Sequence, residues 1–199
     1  KPEEFWENIS NDIFWFKKPS KILNKLNSPF YKWFEDGITN SCYNAIDLHI
    51  DQGKGEKIAL IYDSPITGNK AKLTYNQLKE KVSKFAGALD NQGIKKGDRV
   101  IIYMPMIPEA VVAMLACGRI GAIHSVVFGG FASNELANRI DDSKANILIT
   151  ASCGFEPGKT VEYKPLVDEA LKLASHKIEK VILFQRSGHE VKLNAPKEL

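Results

Sequence analysis

Apolar residues gather along this chain in short unbroken runs, separated by stretches in which they recur every three or four positions. The runs are Lys57 to Asp63 (KIALIYD), Asp98 to Met104 (DRVIIYM), His124 to Phe128, Asn146 to Thr150 (NILIT) and Val181 to Phe184 (VILF). Short runs of this kind, rich in β-branched residues and bounded by turn formers, predict strands, and the unbroken ones predict strands covered on both faces. Between them, Leu78, Val82, Phe85 and Leu89 stand at helical spacing, with Gly93 as a stop. Thr74 fits the N-cap of that helix, Gln77 completes a capping box, and Leu73 with Leu78 forms a hydrophobic staple. Pro108 suits the first turn of a second helix, whose Ala110, Ala113, Ala116, Cys117 and Gly118 permit close packing before Gly121 ends it. A third helix is expected from a Ser133 cap through Ile140, and a fourth from Pro165 to Ala174. Strands alternating with helices predict an α/β fold, a mainly parallel sheet with helices on both faces.

The first part of the chain has a different character. Phe5, Ile9, Ile13 and Phe16 recur at helical spacing with Glu3, Glu4, Glu7, Asn8 and Asp12 on other faces. This predicts an amphipathic helix docked on its own domain, because membrane-lying helices favour Lys and Arg on the polar face. Trp33 and Phe34 are expected as packing anchors and Gly37 as a turn. The natural division is a helical, aromatic-rich extension over 1–52 and an α/β domain over 53–199. From Gln185 onward the pattern turns polar and no closing element is expected.

Composition narrows the class without naming a function. An apolar fraction of 44% with 26% charged residues fits a globular chain, and the longest apolar runs are too short to span a bilayer. The net charge of +3 comes from scattered lysines, so nucleic acid is not an expected partner. Cys42, Cys117 and Cys153 form no CxxC pattern, which predicts reduced thiols and no metal site. That points to the cytoplasm, with the mitochondrial matrix as alternative; the first residue is Lys1 rather than Met, as expected where a targeting segment has been removed.

The commonest nucleotide and hydrolase signatures are missing: there is no GxxxxGK[ST] loop, no GxGxxG after a strand, no GxSxG and no HExxH. His124, on a strand expected to be buried, reads as a core histidine. Two glycine-bearing loops follow successive strands, where an open α/β sheet presents its ligand edge. Gly129-Gly130 either lets a ligand approach the backbone or simply supplies a turn needing positive φ. At Gly154-Phe155-Glu156-Pro157-Gly158-Lys159, Lys159 either meets a phosphate or is a solvated lysine on a β-turn.

The ordered stretches WFEDGITNSCYNAIDLHI, MPMIPEAVVAMLACGRIGA and GRIGAIHSVVFGGFASNELANRIDDSKANILITAS resemble the N-terminal portion of the AMP-forming short-chain acyl-CoA synthetases, the acetyl- and propionyl-CoA synthetases of the adenylate-forming superfamily. The resemblance runs from Phe5 to Phe184 and implies an acid-thiol ligase that activates a short-chain carboxylate with ATP and Mg²⁺, then transfers the acyl group to CoA. It implies a CoA site at Glu156, Pro157, Gly158 and Lys159, with Phe128, Gly129 and Gly130 lining the adjoining surface. SCGFEPGKTVEYKPLVDEAL looks like the propionyl type, since acetyl-type members usually carry arginine where Glu156 stands. The family's phosphate loop, hinge aspartate and C-terminal catalytic lysine have no counterpart here, so the chain reads as a fragment whose partner is the remainder of the same enzyme, with no catalytic residue of its own. Two rivals are a non-catalytic α/β binding module and an adenylating enzyme with an acceptor other than CoA.

Overall fold

The computed structural model describes residues 1–193 and Leu199. Pro2 in the first turn, followed by Glu3 and Glu4, starts helix α1 (Pro2–Ser10). It ends at Ser10, six residues short of Phe16, because Asn8, Ser10, Asn11 and Asp12 compete for the backbone. The Ser10 hydroxyl donates to the Glu7 carbonyl at 2.7 Å, and the Trp15 indole N–H donates to the Ser10 carbonyl at 2.8 Å. Phe16 instead donates its backbone N–H to Ile38 at 2.8 Å. Docking of α1 is slight: Trp6 meets the Trp33 ring at 5.9 Å and Glu3 pairs with Lys25 at 2.8 Å, while Phe5 and Ile9 stay exposed.

Two short strands, β1 (Leu23–Asn24) and β2 (Lys32–Trp33), pair antiparallel where no strand is expected from the sequence. Trp33 and Phe34 join an aromatic chain with Trp15 rather than the main core. Gly37 closes a turn onto the Phe34 carbonyl, and a side chain there would lie 2.6 Å from the Trp15 ring. A helical segment with two wide π turns (Tyr43–Asp47 and Ile50–Lys54) then seats Cys42 and Ile46 in the core.

Strands β3 (Ile58–Asp63) and β4 (Lys70–Thr74) form an antiparallel hairpin, the second strand being one the apolar pattern does not signal. Helix α2 (Tyr75–Asn91) begins with the expected capping box: Thr74 Oγ1 accepts from the Gln77 N–H at 3.2 Å, and Gln77 Oε1 accepts from the Thr74 N–H at 2.9 Å. Next come β5 (Arg99–Met104), α3 (Pro108–Ile120), β6 (Ile123–Phe128), α4 (Ser133–Ser143), β7 (Ile147–Ala151), the hairpin β8 (Cys153–Glu156) and β9 (Lys159–Glu162), α5 (Tyr163–Leu173), and β10 (Lys180–Phe184).

A parallel sheet of order β10-β7-β5-β6 forms the centre. Alternation along β5 sends Val100, Ile102 and Met104 to the face covered by α2 and α3, and Ile101 and Tyr103 to the face covered by α4 and α5. Helices thus lie on both faces, as the unbroken apolar runs require. Each fully buried isoleucine of β5 is worth about 1.5–3 kcal/mol.

Three local expectations fail. Strand β6 lies at the sheet edge, so His124 is exposed rather than buried, as are Ile123 and Val126, and only Val127 of the strand is fully covered. Ala132, not Ser133, occupies the cap of α4, and the Ser133 hydroxyl donates across to Glu169 Oε2 at 2.8 Å. The Gly154–Gly158 turn is a complete hairpin, with Pro157-Gly158 at its tip and Gly158 at φ 73°. After β10, the Gln185 side chain clasps the backbone of Val191 at 2.8 and 2.9 Å, so part of the polar stretch is ordered. The rest of that stretch, 194–198, lies outside the described residues.

Candidate functional site

All four strands of a parallel sheet end on the same edge, here at Met104, Phe128, Ala151 and Phe184. The β3–β4 turn overhangs this edge on one side and the β8–β9 hairpin on the other. Between them lies a cleft of about 380 Å³ with Met104, Phe128, Gly129, Phe155, Glu156, Tyr163 and Arg186 among its lining residues. A second depression, sharing Tyr62, Ile107, Phe155 and Arg186, adjoins it and includes Glu109.

The two glycine loops converge on Tyr163. A Cβ on Gly129 would stand 2.4 Å from the Tyr163 hydroxyl oxygen, and one on Gly154 would stand 2.8 Å from it. Both glycines therefore make room for a buried side chain of the protein itself. Gly130 behaves differently: its φ is 92°, as the turn reading requires, and a Cβ there would meet only Glu156 Oε1 at 3.6 Å. Tyr163 stacks against Tyr103 at 4.9 Å, and burial, with Tyr103 and Glu156 nearby, pushes its hydroxyl up to about 12. Tyr103 in turn donates to the Phe131 carbonyl at 2.7 Å, fixing the loop after β6.

Of the sequence-predicted site residues, Phe128, Gly129 and Glu156 line the cleft, and Gly130 stands beside Glu156. Pro157, Gly158 and Lys159 form the outer tip of the hairpin. Lys159 Nζ meets Glu156 Oε2 at 3.0 Å in a largely exposed pair. Across the cleft, Lys70 pairs with Asp63 at 2.8 Å. Phe128 is 71% exposed, its ring 5.7 Å from Phe131.

Arg186, Phe155 and Tyr163 are missed by the sequence reading. The Arg186 guanidinium sits 4.5 Å over the Phe155 ring, and the residue is only 9% exposed. One signal was available: Arg186 lies two residues past the end of the VILF strand and so at the edge where the parallel strands end. Among the described residues no group of three His, Cys, Asp or Glu could hold a metal ion, and no helix is long and apolar enough to cross a membrane.

Away from the cleft, Asp47 is clasped by Arg119 at 2.6 Å and Lys79 at 3.0 Å, joining the π-helical segment to α3 and α2. Burial raises the Asp47 pKa, but the Lys79 and Arg119 contacts outweigh it and hold the carboxyl below its usual range. Cys42, Cys117 and Cys153 are free thiols, all buried, and burial pushes Cys117 up to about 12.

Comparison with known proteins accounts for this arrangement. Residues 49–198 match the family model described as AMP-binding enzyme, and residues 1–45 match that described as acetyl-coenzyme A synthetase N-terminus. The chain is 55% identical over 195 residues to acyl-CoA synthetase short-chain family member 3, mitochondrial, of Homo sapiens, covering 98% of this chain and 28% of that protein. It is 49% identical over 187 residues to the acetyl-coenzyme A synthetase of Streptomyces coelicolor, covering 94% of this chain and 28% of the relative. The chain thus spans well under a third of the length of these relatives. A solved acetoacetyl-CoA synthetase from Streptomyces lividans superposes with a TM-score of 0.86 at 24% identity, over 100% of this chain and 30% of that one, and so shares the fold. The parallel sheet and the match across three quarters of the sequence agree: the chain belongs to the AMP-binding enzyme family.

Proposed function

We propose that this chain supplies the N-terminal part of an AMP-forming acid-thiol ligase, which joins a short-chain carboxylate to AMP with loss of pyrophosphate and then passes the acyl group to CoA. The observation that carries the reading is the ordered pair of family matches, the acetyl-coenzyme A synthetase N-terminus over 1–45 followed by the AMP-binding enzyme over 49–198. Relatives over almost the whole chain are named as short-chain acyl-CoA and acetyl-coenzyme A synthetases. The extension over 1–52 and the α/β domain over 53–199 are the two units of this reading. ATP and Mg²⁺ are bound by the remainder of the enzyme, and this part contributes to the CoA site without a catalytic group. Propionate is the preferred acid, with acetate as the alternative, because Glu156 replaces the arginine usual in the acetyl type. The cytoplasm is the expected compartment; the mitochondrial matrix is the alternative that the name of the mitochondrial relative supports.

In this reading Lys159 meets a CoA phosphate, and Phe128, Gly129, Gly130 and the Glu156-Pro157-Gly158 tip shape the adjoining surface. The chemistry is compatible with the geometry. The pair that Lys159 makes with Glu156 is 65% and 43% exposed, so releasing the ammonium toward a phosphate costs at most about 1 kcal/mol. Lys159→Ala in the natural polypeptide is expected to raise the KM for CoA about two- to fivefold while ATP–pyrophosphate exchange stays normal. Equal loss in both half-reactions would refute the role of Lys159.

A further inference from the structure

We infer that Arg186 and the Tyr163 hydroxyl together form an oxyanion-recognition point in the cleft, built for a carboxylate or phosphate of a substrate. The charge inventory of the cleft is the starting point. Asp63 is paired with Lys70 at 2.8 Å and Glu156 with Lys159 at 3.0 Å, so each rim carboxylate already has its cation. Arg186 is left over: among the described residues its guanidinium has no ion pair and no side-chain hydrogen bond, although the residue is only 9% exposed. In the adjoining depression Glu109 carries a carboxylate, and it too stands beyond ion-pair distance from Arg186. The Arg186 nitrogens are not among the buried atoms left without a partner, so the guanidinium opens to the cleft, where a ligand can supply the missing charge.

Its surroundings are built rather than incidental. The Arg186 N–H donates to the Ser152 hydroxyl at 2.9 Å and its carbonyl accepts from His189 at 3.0 Å, which fixes the backbone at the end of β10. The guanidinium rests on the Phe155 face at 4.5 Å, and this contact leaves its N–H groups to bind an oxyanion in the bidentate manner suited to that fork. Tyr163 is 3% exposed and lines the same cleft, and its hydroxyl has no hydrogen-bond partner among the described residues. Burial pushes its pKa up to about 12, so it stays protonated and remains a donor. Gly129 and Gly154, by lacking Cβ atoms, are what allow that hydroxyl to reach the cleft. Met104, Val126 and Phe128 make the remaining wall apolar, so the fitting ligand is an oxyanion attached to an apolar or flat group.

This inference rests on the ligase reading only for the choice of probes: propionate, ATP and CoA, titrated calorimetrically against the natural polypeptide and its Arg186→Met, Arg186→Lys and Tyr163→Phe variants. Arg186→Met is expected to weaken one of the three probes about tenfold or more, Arg186→Lys less, and Tyr163→Phe by a few-fold on the same probe. Which probe responds identifies the source of the oxyanion. Unchanged affinity for all three, or an equal loss for all three, would overturn the inference. Should Arg186→Met fail to fold, Arg186→Lys and Tyr163→Phe decide alone, and no effect in either overturns it. A wild-type protein that binds a probe but forms no acyl-CoA would sink the ligase reading and leave this test intact.

Discussion

Gly129→Ala tests whether the first glycine loop serves packing or ligand approach. No left-handed backbone is required at Gly129, so alanine is conformationally acceptable and the whole effect is steric. The new methyl would lie 2.4 Å from the Tyr163 hydroxyl oxygen, 3.3 Å from Tyr163 Cζ and 2.9 Å from the Met104 carbonyl oxygen. Tyr163 has little room to retreat, with Gly154 behind the hydroxyl and the Tyr103 ring at 4.9 Å. The Met104 carbonyl belongs to a central strand. Overpacking costs typically about 1–3 kcal/mol, and a backbone clash places this case near the upper end. At roughly 2–4 °C per kcal/mol for a domain of this size, Tm should fall by roughly 6–12 °C in a thermal melt. Tyr163→Phe removes the 2.4 Å contact and leaves the 2.9 Å one, so the double variant should recover roughly half of the loss, a coupling of about 1–1.5 kcal/mol. A Gly129→Ala protein within about 0.5 kcal/mol of wild type, or a double variant with no coupling, would refute the packing account.

Asp47→Ala leaves Arg119 and Lys79 without their carboxylate in a partly buried clasp, and chemical denaturation should show a loss of about 3 kcal/mol; a loss under about 1 kcal/mol would mean that the clasp is solvated. Because the folded pKa of Asp47 is depressed, its contribution is fully present above the unfolded value of about 3.9 and is lost as pH falls through the lower folded value, so the stability gap between wild type and Asp47→Asn should narrow in acid below about pH 4. The buried thiols should resist alkylation at pH 8 in the native state and react together once denatured, with rapid native labelling of Cys117 as the contrary result. Thr74→Ala removes an observed capping box and should cost about 1 kcal/mol in the same denaturation assay, whereas Thr74→Ser should cost little.

The sheet and its helices were legible because burial on both faces leaves a plain mark: Val100 to Met104 have no polar position to spare, and Leu78, Val82 and Leu89 trace one helical face. The capping box of α2 was legible because it is entirely local. What escaped depends on position in space. His124 sits in an apolar run, yet strand order puts that run at the edge, and order is not written in the run itself. The helix predicted through Phe16 stops at Ser10 because a periodic apolar pattern continues across residues that prefer other hydrogen bonds. At the cleft, the glycine loops were found, but the reason for Gly129 lies with Tyr163, distant in sequence. For Arg186 the sequence signalled position, just past the VILF strand, but not partner, since stacking on Phe155 joins two loops that only the fold brings together.

The most direct test of the account is incubation of the natural polypeptide with ATP, Mg²⁺, propionate and CoA, with AMP and acyl-CoA measured together. The account predicts equal formation of AMP and propionyl-CoA, with acyl-CoA absent when either ATP or CoA is omitted. AMP release at the same rate without CoA, or no AMP with any short-chain acid, would contradict it.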